Sequence, residues 1–235
     1  RFQKFDGRRI AAASIGQVHR AVTRDGRDLA IKVQYPGVRR SIDSDVDNVA
    51  ALMRISGLVP RGIDLAPMLA EAKRQLHEEA DYEREGRCLA RFGELLSDNP
   101  AFRVPALHAD HTTTSVLAMS FVEAVPVDDL AEAPQAERDR VVTLLIDLLF
   151  RELFEFRLMQ TDPNFANYRY SPATGQVVLL DFGATRAFPE GFADLYRGLL
   201  RAGFAGDRDA IRRTARQIGF LAEDTPEGLE QAMLA

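Results

Sequence analysis

The sequence predicts an α+β fold with two lobes, a small antiparallel β-sheet with inserted helices and then a mainly helical half. Three observations predict it: β-prone runs around a tight turn in residues 9–34, helical spacing of apolar residues in 38–96, and a mostly helical pattern beyond Glu137. With 235 residues, 46% of them hydrophobic and 28% charged, the composition is that of a folded globular protein. We expect the first lobe to cover residues 1–123 and the second 124–235.

The first lobe begins with the predicted sheet. Asp25 and Gly26 separate two β-prone runs, and glycine tolerates the positive φ that a hairpin turn needs. The strand that contains Lys32 ends at the Tyr-Pro-Gly run, residues 35–37. A helix follows, with apolar residues in helical spacing at Ile42, Val46, Val49 and Met53.

A longer helical stretch is predicted from Leu65 to Leu96, and we expect Gly86 to break it in two. Two strands are predicted next, in residues 103–108 and 112–122. The run EAVPVDDL follows these strands, and its proline and acidic residues should end the sheet there. We expect this run to connect the two lobes.

The second lobe is predicted to contain one long helix and one hairpin. The helix covers residues 139–156 and is apolar on much of its circumference, so we expect it to be the buried spine of this lobe. Its charged residues exclude a membrane span, which needs about 20 largely uncharged residues. The hairpin is predicted from the runs NYRYSP and QVVLLDFG, and amphipathic helices are predicted in the tail, residues 189–235.

Charge and cysteine content exclude several classes of protein. A net charge of -5 without a broad basic face argues against nucleic acid as a partner. The single cysteine, Cys88, cannot form an internal disulfide and indicates a reducing compartment such as the cytoplasm.

The sequence begins without an initiator methionine or an apolar signal region, and we expect it to be a piece of a longer protein.

Four elements that carry chemistry follow one another along the chain. The first is a run of small residues whose backbone amides can approach a phosphate, namely Ala11, Ala12, Ala13 and Ser14. The second is Lys32, which lies within an apolar strand. The third is Asp162 with Asn167 five residues later, and the fourth is Asp181 in an Asp-Phe-Gly turn. Taken singly, each is weak, since a strand lysine more often faces solvent and an aspartate before glycine is a common turn.

Taken together, the four elements have the order and spacing of a protein-kinase nucleotide site. In that arrangement Lys32 binds the α and β phosphates of ATP, Asn167 and Asp181 bind Mg²⁺, and Asp162 faces the incoming hydroxyl. Because Mg²⁺ takes hard oxygen ligands and keeps waters, one amide oxygen, one or two carboxylates and phosphate oxygens are a sufficient set.

These motifs and their surroundings resemble the UbiB/AarF family of atypical protein-kinase-like proteins, most of all its coenzyme Q biosynthesis branch. The resemblance runs from Ile10 to Phe188 through the segments AAASIGQVHRA, LAIKVQYPGV, EEADYEREG, MSFVEAVPV, FRLMQTDPNFANY and VVLLDFGATRAF. It implies a single bilobal protein-kinase-like domain that binds ATP and Mg²⁺ and supports ubiquinone biosynthesis. It also implies contact with lipid or quinone intermediates, with quinone-biosynthesis proteins and peripherally with a membrane, on the matrix side of mitochondria in a eukaryote.

The resemblance assigns roles to further residues. It implies that Glu79 and Asp81 form a Glu-x-Asp element at the nucleotide, and that Glu123 and Val125 lie at the hinge beside the adenine. Without the resemblance, a solvated acidic helix face explains Glu79 and Asp81. The acidic residue that pairs with Lys32 is left open.

The sequence departs from ordinary protein kinases in three places. Alanines replace the glycines of the phosphate loop, Gln160 and Thr161 replace a His-Arg pair, and no long activation segment follows the Asp-Phe-Gly turn. Since a Cβ hinders close backbone approach, we hypothesise that the alanine run restrains phosphoryl transfer to proteins. The leading prediction is a Mg²⁺-dependent ATPase or phosphotransferase, and the alternatives are a small-molecule kinase and a non-catalytic nucleotide-binding scaffold.

Overall fold

Short strands come first and three helices follow them in this computed structural model, which describes residues 1–56, 65–162, 164–222, 225–226, 228 and 230–231. The first elements are β1 Phe2–Phe5, β2 Ala11–Ala13, β3 Gly16–Thr23, β4 Asp28–Gln34, α1 Val38–Ile55, α2 Ala66–Glu79 and α3 Tyr82–Leu95. They are followed by β5 Phe102–Arg103, β6 Val116–Ser120, β7 Val125–Pro126, α4 Gln135–Arg151, β8 Leu158–Gln160, β9 Tyr168–Ser171, β10 Gln176–Leu179, β11 Thr185–Ala187, α5 Phe192–Ala205 and α6 Arg208–Ile218. A π-helical turn follows α4, and 3-10 turns cover Ala109–His111, Val127–Glu132 and Phe165–Asn167.

The first sheet has the strand order β1-β3-β4-β6, and β2 pairs with β3 on the same side as β1. The predicted hairpin is confirmed, since β3 and β4 are antiparallel and Gly26 has a φ of 86°. Across the sheet, Lys32 lies opposite Val18 of β3 on one side and Leu117 of β6 on the other. Lys32 is therefore in a central strand, and its side chain projects from the middle of the sheet rather than from an edge.

The predicted helix after β4 is confirmed as α1, although its apolar residues do not all face the interior. Ile42 and Val46 are buried, whereas Val49 is 55% exposed. Gly37, with a φ of 86°, precedes the helix and turns the chain out of β4.

The long helical stretch breaks at Ala80 and Asp81, so the prediction of a break at Gly86 is wrong. The Asp81 carboxylate accepts a hydrogen bond from the backbone N–H of Arg84 at 2.9 Å and caps α3. Gly86 lies inside α3 on its buried face, where a Cβ would approach a methyl carbon of Leu107 to 3.0 Å. Glycine serves close packing there, and the capping aspartate determines where the new helix begins.

The second sheet has the order β5-β10-β9-β7 and contains the hairpin that was predicted. In it, β9 and β10 are antiparallel, and β10 runs parallel to β5. The Val177, Val178 and Leu179 side chains of β10 are fully buried. This buried strand ends two residues before Asp181 and fixes the start of the Asp-Phe-Gly turn.

The long apolar helix is present as α4, but the prediction that it is buried on much of its circumference is wrong. Val141 and Leu148 are buried. Four apolar side chains on the helix are about half exposed, namely Val142, Ile146, Leu149 and Phe150. In the described part of the chain, each helix falls short of the length or the apolarity that crossing a membrane requires.

The chain divides into two compact units. One unit contains residues 1–144 and 160–185, and the other contains 145–159 and 186–235. Every residue predicted at the nucleotide site belongs to the first unit. In the second unit α5 packs against α6, as the tail pattern predicts, while the prediction for 223–224, 227, 229 and 232–235 lies outside the described residues. The lobe boundary after residue 123 stays a prediction.

Candidate active site

Lys32 is the buried centre of the site. Only 5% of its surface is exposed, and its ammonium nitrogen lies 2.8 and 3.0 Å from the two carboxylate oxygens of Glu85. Asp181 Oδ2 lies 3.2 Å from the same nitrogen, and the Tyr82 ring centroid lies 5.1 Å from it. The explanation of Lys32 as an ordinary solvent-facing strand residue is therefore wrong, because its ammonium is buried and paired with the buried Glu85 carboxylate and with the partly exposed Asp181 carboxylate.

Glu85 is the residue of the candidate site that sequence reasoning missed. It is fully buried on α3 and is the acidic partner of Lys32. A signal for it exists in the helical periodicity, because Glu85 falls on the same face as Tyr82, Leu89 and Phe92, which are all buried. A carboxylate on the apolar face of a helix needs a partner, and a buried lysine can neutralise its charge.

Two carboxylates share one ammonium group at this position. Burial raises the pKa of Glu85 to about 7, the charge of Lys32 opposes that rise, and the charge of Asp181 adds to it. Burial by itself lowers the pKa of Lys32, but the charges of Glu85 and Asp181 outweigh burial and hold this pKa above its ordinary value. When both carboxylates are ionised, the cluster carries one excess negative charge that a bound cation can compensate.

Asp181 is held in place by the turn that it begins. Its Oδ1 accepts a hydrogen bond from the backbone N–H of Gly183 at 3.0 Å, and its side chain is 38% exposed. The next residue, Phe182, is buried against Phe92 of α3, with ring centroids 5.1 Å apart. The turn is thus anchored by an aromatic contact while the carboxylate stays accessible to a ligand.

Asp162 and Asn167 lie on the loop between β8 and β9. Asn167 Nδ2 donates to Asp162 Oδ2 at 3.1 Å, so this bond uses the amide nitrogen and not the amide oxygen. Backbone hydrogen bonds of 3.2 Å tie this loop to the Asp-Phe-Gly turn on both sides, from Leu180 N to the Asn167 carbonyl and from Thr161 N to the Ala184 carbonyl. The structure therefore brings the third and fourth sequence elements together.

The run of small residues lies in β2, and one strand, β3, separates it from the strand that contains Lys32. Ala11–Ala13 form β2, and the first of these alanines is opposite Val18, which is itself opposite Lys32. Ser14 follows the strand, and its hydroxyl donates to a carboxylate oxygen of Glu79. The run is thus a paired strand with a turn at its end rather than an open loop.

The residues implied by the family resemblance occupy different places. Glu79 lies beside the Asp-Phe-Gly turn, since a Cβ added to Gly183 would lie 3.7 Å from its Cγ. Asp81 is the cap of α3, Glu123 is exposed between β6 and β7, and Val125 lies in β7. Their contacts with a nucleotide stay predictions.

The oxygen-bearing side chains fit a magnesium ion that is shared with phosphate. Asn167 offers an amide oxygen and Asp181 a carboxylate, both of them hard ligands. Within the described ranges, no group of three or more His, Cys, Asp or Glu side chains could hold a metal ion alone. Two protein ligands leave coordination positions for water and phosphate oxygens, as is usual for Mg²⁺ bound with a nucleotide.

Comparison with known proteins decides the family. The sequence model of the ABC1 atypical kinase-like domain matches residues 1–215. The chain belongs to this ABC1 family. The family resemblance and the α+β kinase-like fold predicted from the sequence are therefore confirmed.

Relatives of this ABC1 domain include proteins named as mitochondrial atypical kinases. The coq-8 protein of Caenorhabditis elegans is 42% identical over 236 residues, which cover 99% of this chain and 31% of that protein. The COQ8 protein of Saccharomyces cerevisiae is 39% identical over 232 residues, which cover 99% of this chain and 46% of that protein. The chain thus spans less than half the length of these relatives.

A solved structure shares the fold of this ABC1 domain over nearly its whole length. The complex of Rv3197 with erythromycin from Mycobacterium tuberculosis has a TM-score of 0.78 at 28% sequence identity. The match covers 96% of this chain and 57% of that one.

Proposed function

We propose that this ABC1 domain binds ATP with Mg²⁺ and acts as an ATPase or phosphotransferase that supports ubiquinone biosynthesis. The observation that carries the proposal is the buried Lys32 ammonium, which lies between Glu85 and Asp181. A charge so deeply buried is costly, and such arrangements with perturbed pKa values are concentrated at functional sites. The family match and the names of the relatives support the assignment to atypical kinases.

Each residue of the site has a role in this proposal. Lys32 binds phosphate oxygens of ATP, and Glu85 holds the lysine side chain in the direction that this requires. Asn167 and Asp181 hold Mg²⁺, which when bound neutralises charge on the phosphate oxygens. Asp162 is exposed and oriented by Asn167, so that it can orient the hydroxyl or water that accepts the phosphoryl group.

The biological context is part of the same proposal. The relatives are named as mitochondrial proteins, and the resemblance points to quinone biosynthesis. We therefore assign lipid or quinone intermediates and quinone-biosynthesis proteins as partners, with peripheral contact at a membrane. Binding to liposomes that contain a quinone precursor, with and without nucleotide, tests this part.

Hydrolysis of ATP by the wild type and by Asp181→Asn tests the proposed activity. We expect Mg²⁺-dependent release of phosphate by the wild type and a background rate in the variant, because the substitution removes a charged metal ligand. Asp209→Asn is the control, since Asp209 is an exposed residue of α6 paired with Arg212. Equal background rates in wild type and Asp181→Asn would support the scaffold alternative, and a phosphorylated small molecule would support the small-molecule kinase.

A further inference from the structure

Three consecutive backbone carbonyls directly after Phe182 accept hydrogen bonds from outside their own turn. Arg84 Nη1 donates to the Gly183 carbonyl at 2.7 Å, and Arg84 Nη2 donates to the Thr185 carbonyl. Between these two, the Ala184 carbonyl accepts from Thr161 Oγ1 at 2.7 Å and from Thr161 N at 3.2 Å. The segment is therefore held by two side chains from two different parts of the chain.

Each of these side chains is the sequence neighbour of a site residue. Arg84 precedes Glu85 in the first turn of α3, where its backbone N–H is fixed by the Asp81 cap. Thr161 precedes Asp162 and stands where ordinary protein kinases carry an arginine. A planar guanidinium donates along two parallel directions, so that Arg84 can hold two carbonyls that are two residues apart.

The held segment contacts the Asp181 carboxylate directly. Asp181 Oδ1 accepts from the backbone N–H of Gly183, and Gly183 is the residue whose carbonyl Arg84 binds. Gly183 is buried, so its backbone has few ways to move without breaking these bonds. A shift of this residue changes the direction in which Asp181 presents its oxygens.

We propose that Arg84 and Thr161 are positioning residues that pin the segment Gly183–Thr185 and thereby orient Asp181 toward the metal. They do this without contacting phosphate or metal themselves. The inference rests on the proposed function, because it concerns the ion that Asp181 holds. It adds that hydrogen bonds within the chain itself keep this short segment in its metal-binding conformation.

Hydrogen exchange of the full ligand-free chain tests the pinning without any nucleotide. Thr161→Val keeps the shape of the side chain but removes the hydroxyl, Thr161→Ser keeps the hydroxyl, and Arg84→Lys keeps the charge but not the two-pronged donor. We expect faster exchange of the Gly183 and Thr185 amides, which donate to Asp181 Oδ1 and to the Phe182 carbonyl, in Thr161→Val and Arg84→Lys. Thr161→Ser should exchange like the wild type, and thermal unfolding checks that all variants are folded.

Binding of Mn²⁺ in the presence of ADP, followed by electron paramagnetic resonance, tests the orientation of Asp181. We expect Thr161→Val to bind Mn²⁺ about threefold to tenfold more weakly, the effect of one lost hydrogen bond, and Thr161→Ser to restore the affinity. Arg84→Lys should lose at least as much, because two charge-assisted bonds are affected. The affinity for ADP without metal should stay unchanged in all three variants.

The outcomes separate this inference from the proposed function. Unchanged exchange and unchanged Mn²⁺ affinity in both Thr161→Val and Arg84→Lys would overturn the inference while leaving the nucleotide site intact. Faster exchange with unchanged Mn²⁺ affinity would show that Arg84 and Thr161 only stabilise the segment, and it would overturn their role in positioning Asp181. A wild type that binds no Mn²⁺ with ADP would overturn the proposed function and this role together.

Discussion

Lys32 and Glu85 form a two-pronged ion pair, with the ammonium nitrogen 2.8 and 3.0 Å from the two carboxylate oxygens. The pair connects β4 to α3 in the interior of the first unit. Because α3 also bears Arg84 and Phe92, which hold the Asp-Phe-Gly turn, one helix supports the lysine and the metal-binding aspartate at the same time. Disturbance of this helix should therefore affect both halves of the site.

Replacement of Lys32 by methionine should destabilise the protein, and more so at high pH. The substitution leaves Glu85 without its buried counter-charge, which costs about 3 kcal/mol when the carboxylate is ionised. Near pH 5 Glu85 can take up a proton instead, so the loss in the free energy of unfolding should be smaller there than near pH 8. Urea unfolding at both pH values measures the difference, and an equal loss at both would contradict the electrostatic account.

The stability of the wild type should fall as pH rises through the titration range of Glu85. Its pKa is raised from 4.5 to about 7 in the folded chain, so the folded state binds the proton more tightly than the unfolded state does. The resulting stabilisation is fully present below pH 4.5 and is lost as pH rises through about 7, with a size of up to about 3 kcal/mol.

Glu85→Gln is the matched variant for this pH dependence, because it removes the titrating group and keeps its size. Unfolding free energies of wild type and Glu85→Gln between pH 4 and 8 give the two slopes. We expect the variant to show a flatter profile in this range. Parallel profiles would show that Glu85 does not titrate there.

Gly16→Ala should destabilise the first sheet strongly. A Cβ at this position would lie 2.3 Å from the Val33 carbonyl oxygen and 2.9 Å from the Tyr82 hydroxyl oxygen. Since backbone has to move to relieve this overlap, we expect a loss of about 2 to 3 kcal/mol in the free energy of unfolding.

Gly203→Ala is the control, because Gly203 lies inside α5 with open space around the added carbon. It should stabilise the protein by about 0.5 to 1 kcal/mol through helix propensity. Thermal or urea unfolding of both variants makes the comparison. A Gly16→Ala protein as stable as the wild type would contradict the close packing of β3 on β4.

Ala12→Gly tests the hypothesis that the alanine run restrains phosphoryl transfer. Residue 12 lies in β2, opposite Gln17, and a glycine there should loosen the strand and let the backbone approach phosphates more closely. We expect a change in ATP affinity and more autophosphorylation than in the wild type. Wild-type values for both quantities would remove the hypothesis.

The sequence could predict three elements of the candidate site because each of them is formed by residues that lie close together along the chain. Asp162 and Asn167 share one loop, Asp181 directly follows a buried strand, and Lys32 lies within a strand whose hairpin turn is marked by glycine. Such short-range patterns leave traces in the residues themselves. The partner of the lysine leaves a weaker trace, the position of Glu85 on the apolar face of α3, because the two residues meet only through tertiary packing across 53 positions.

The errors in the fold prediction have the same origin. Gly86 resembles a helix breaker in sequence, yet its small size serves contact with Leu107, a residue far from it along the chain. The break occurs instead at Asp81, whose capping signal competes with that glycine and determines the helix start. The exposure of Phe150 on α4 likewise depends on what packs against the helix, which periodicity does not specify.

The central claim is that Lys32, Asn167 and Asp181 gather a nucleotide and a magnesium ion. The most direct test is a crystal structure of the chain with Mg²⁺ and a non-hydrolysable ATP analogue. We predict Mg²⁺ at about 2.1 Å from an Asn167 oxygen and from an Asp181 oxygen, with the Lys32 ammonium within about 3 Å of a phosphate oxygen. A nucleotide and metal bound away from these three side chains would contradict the account.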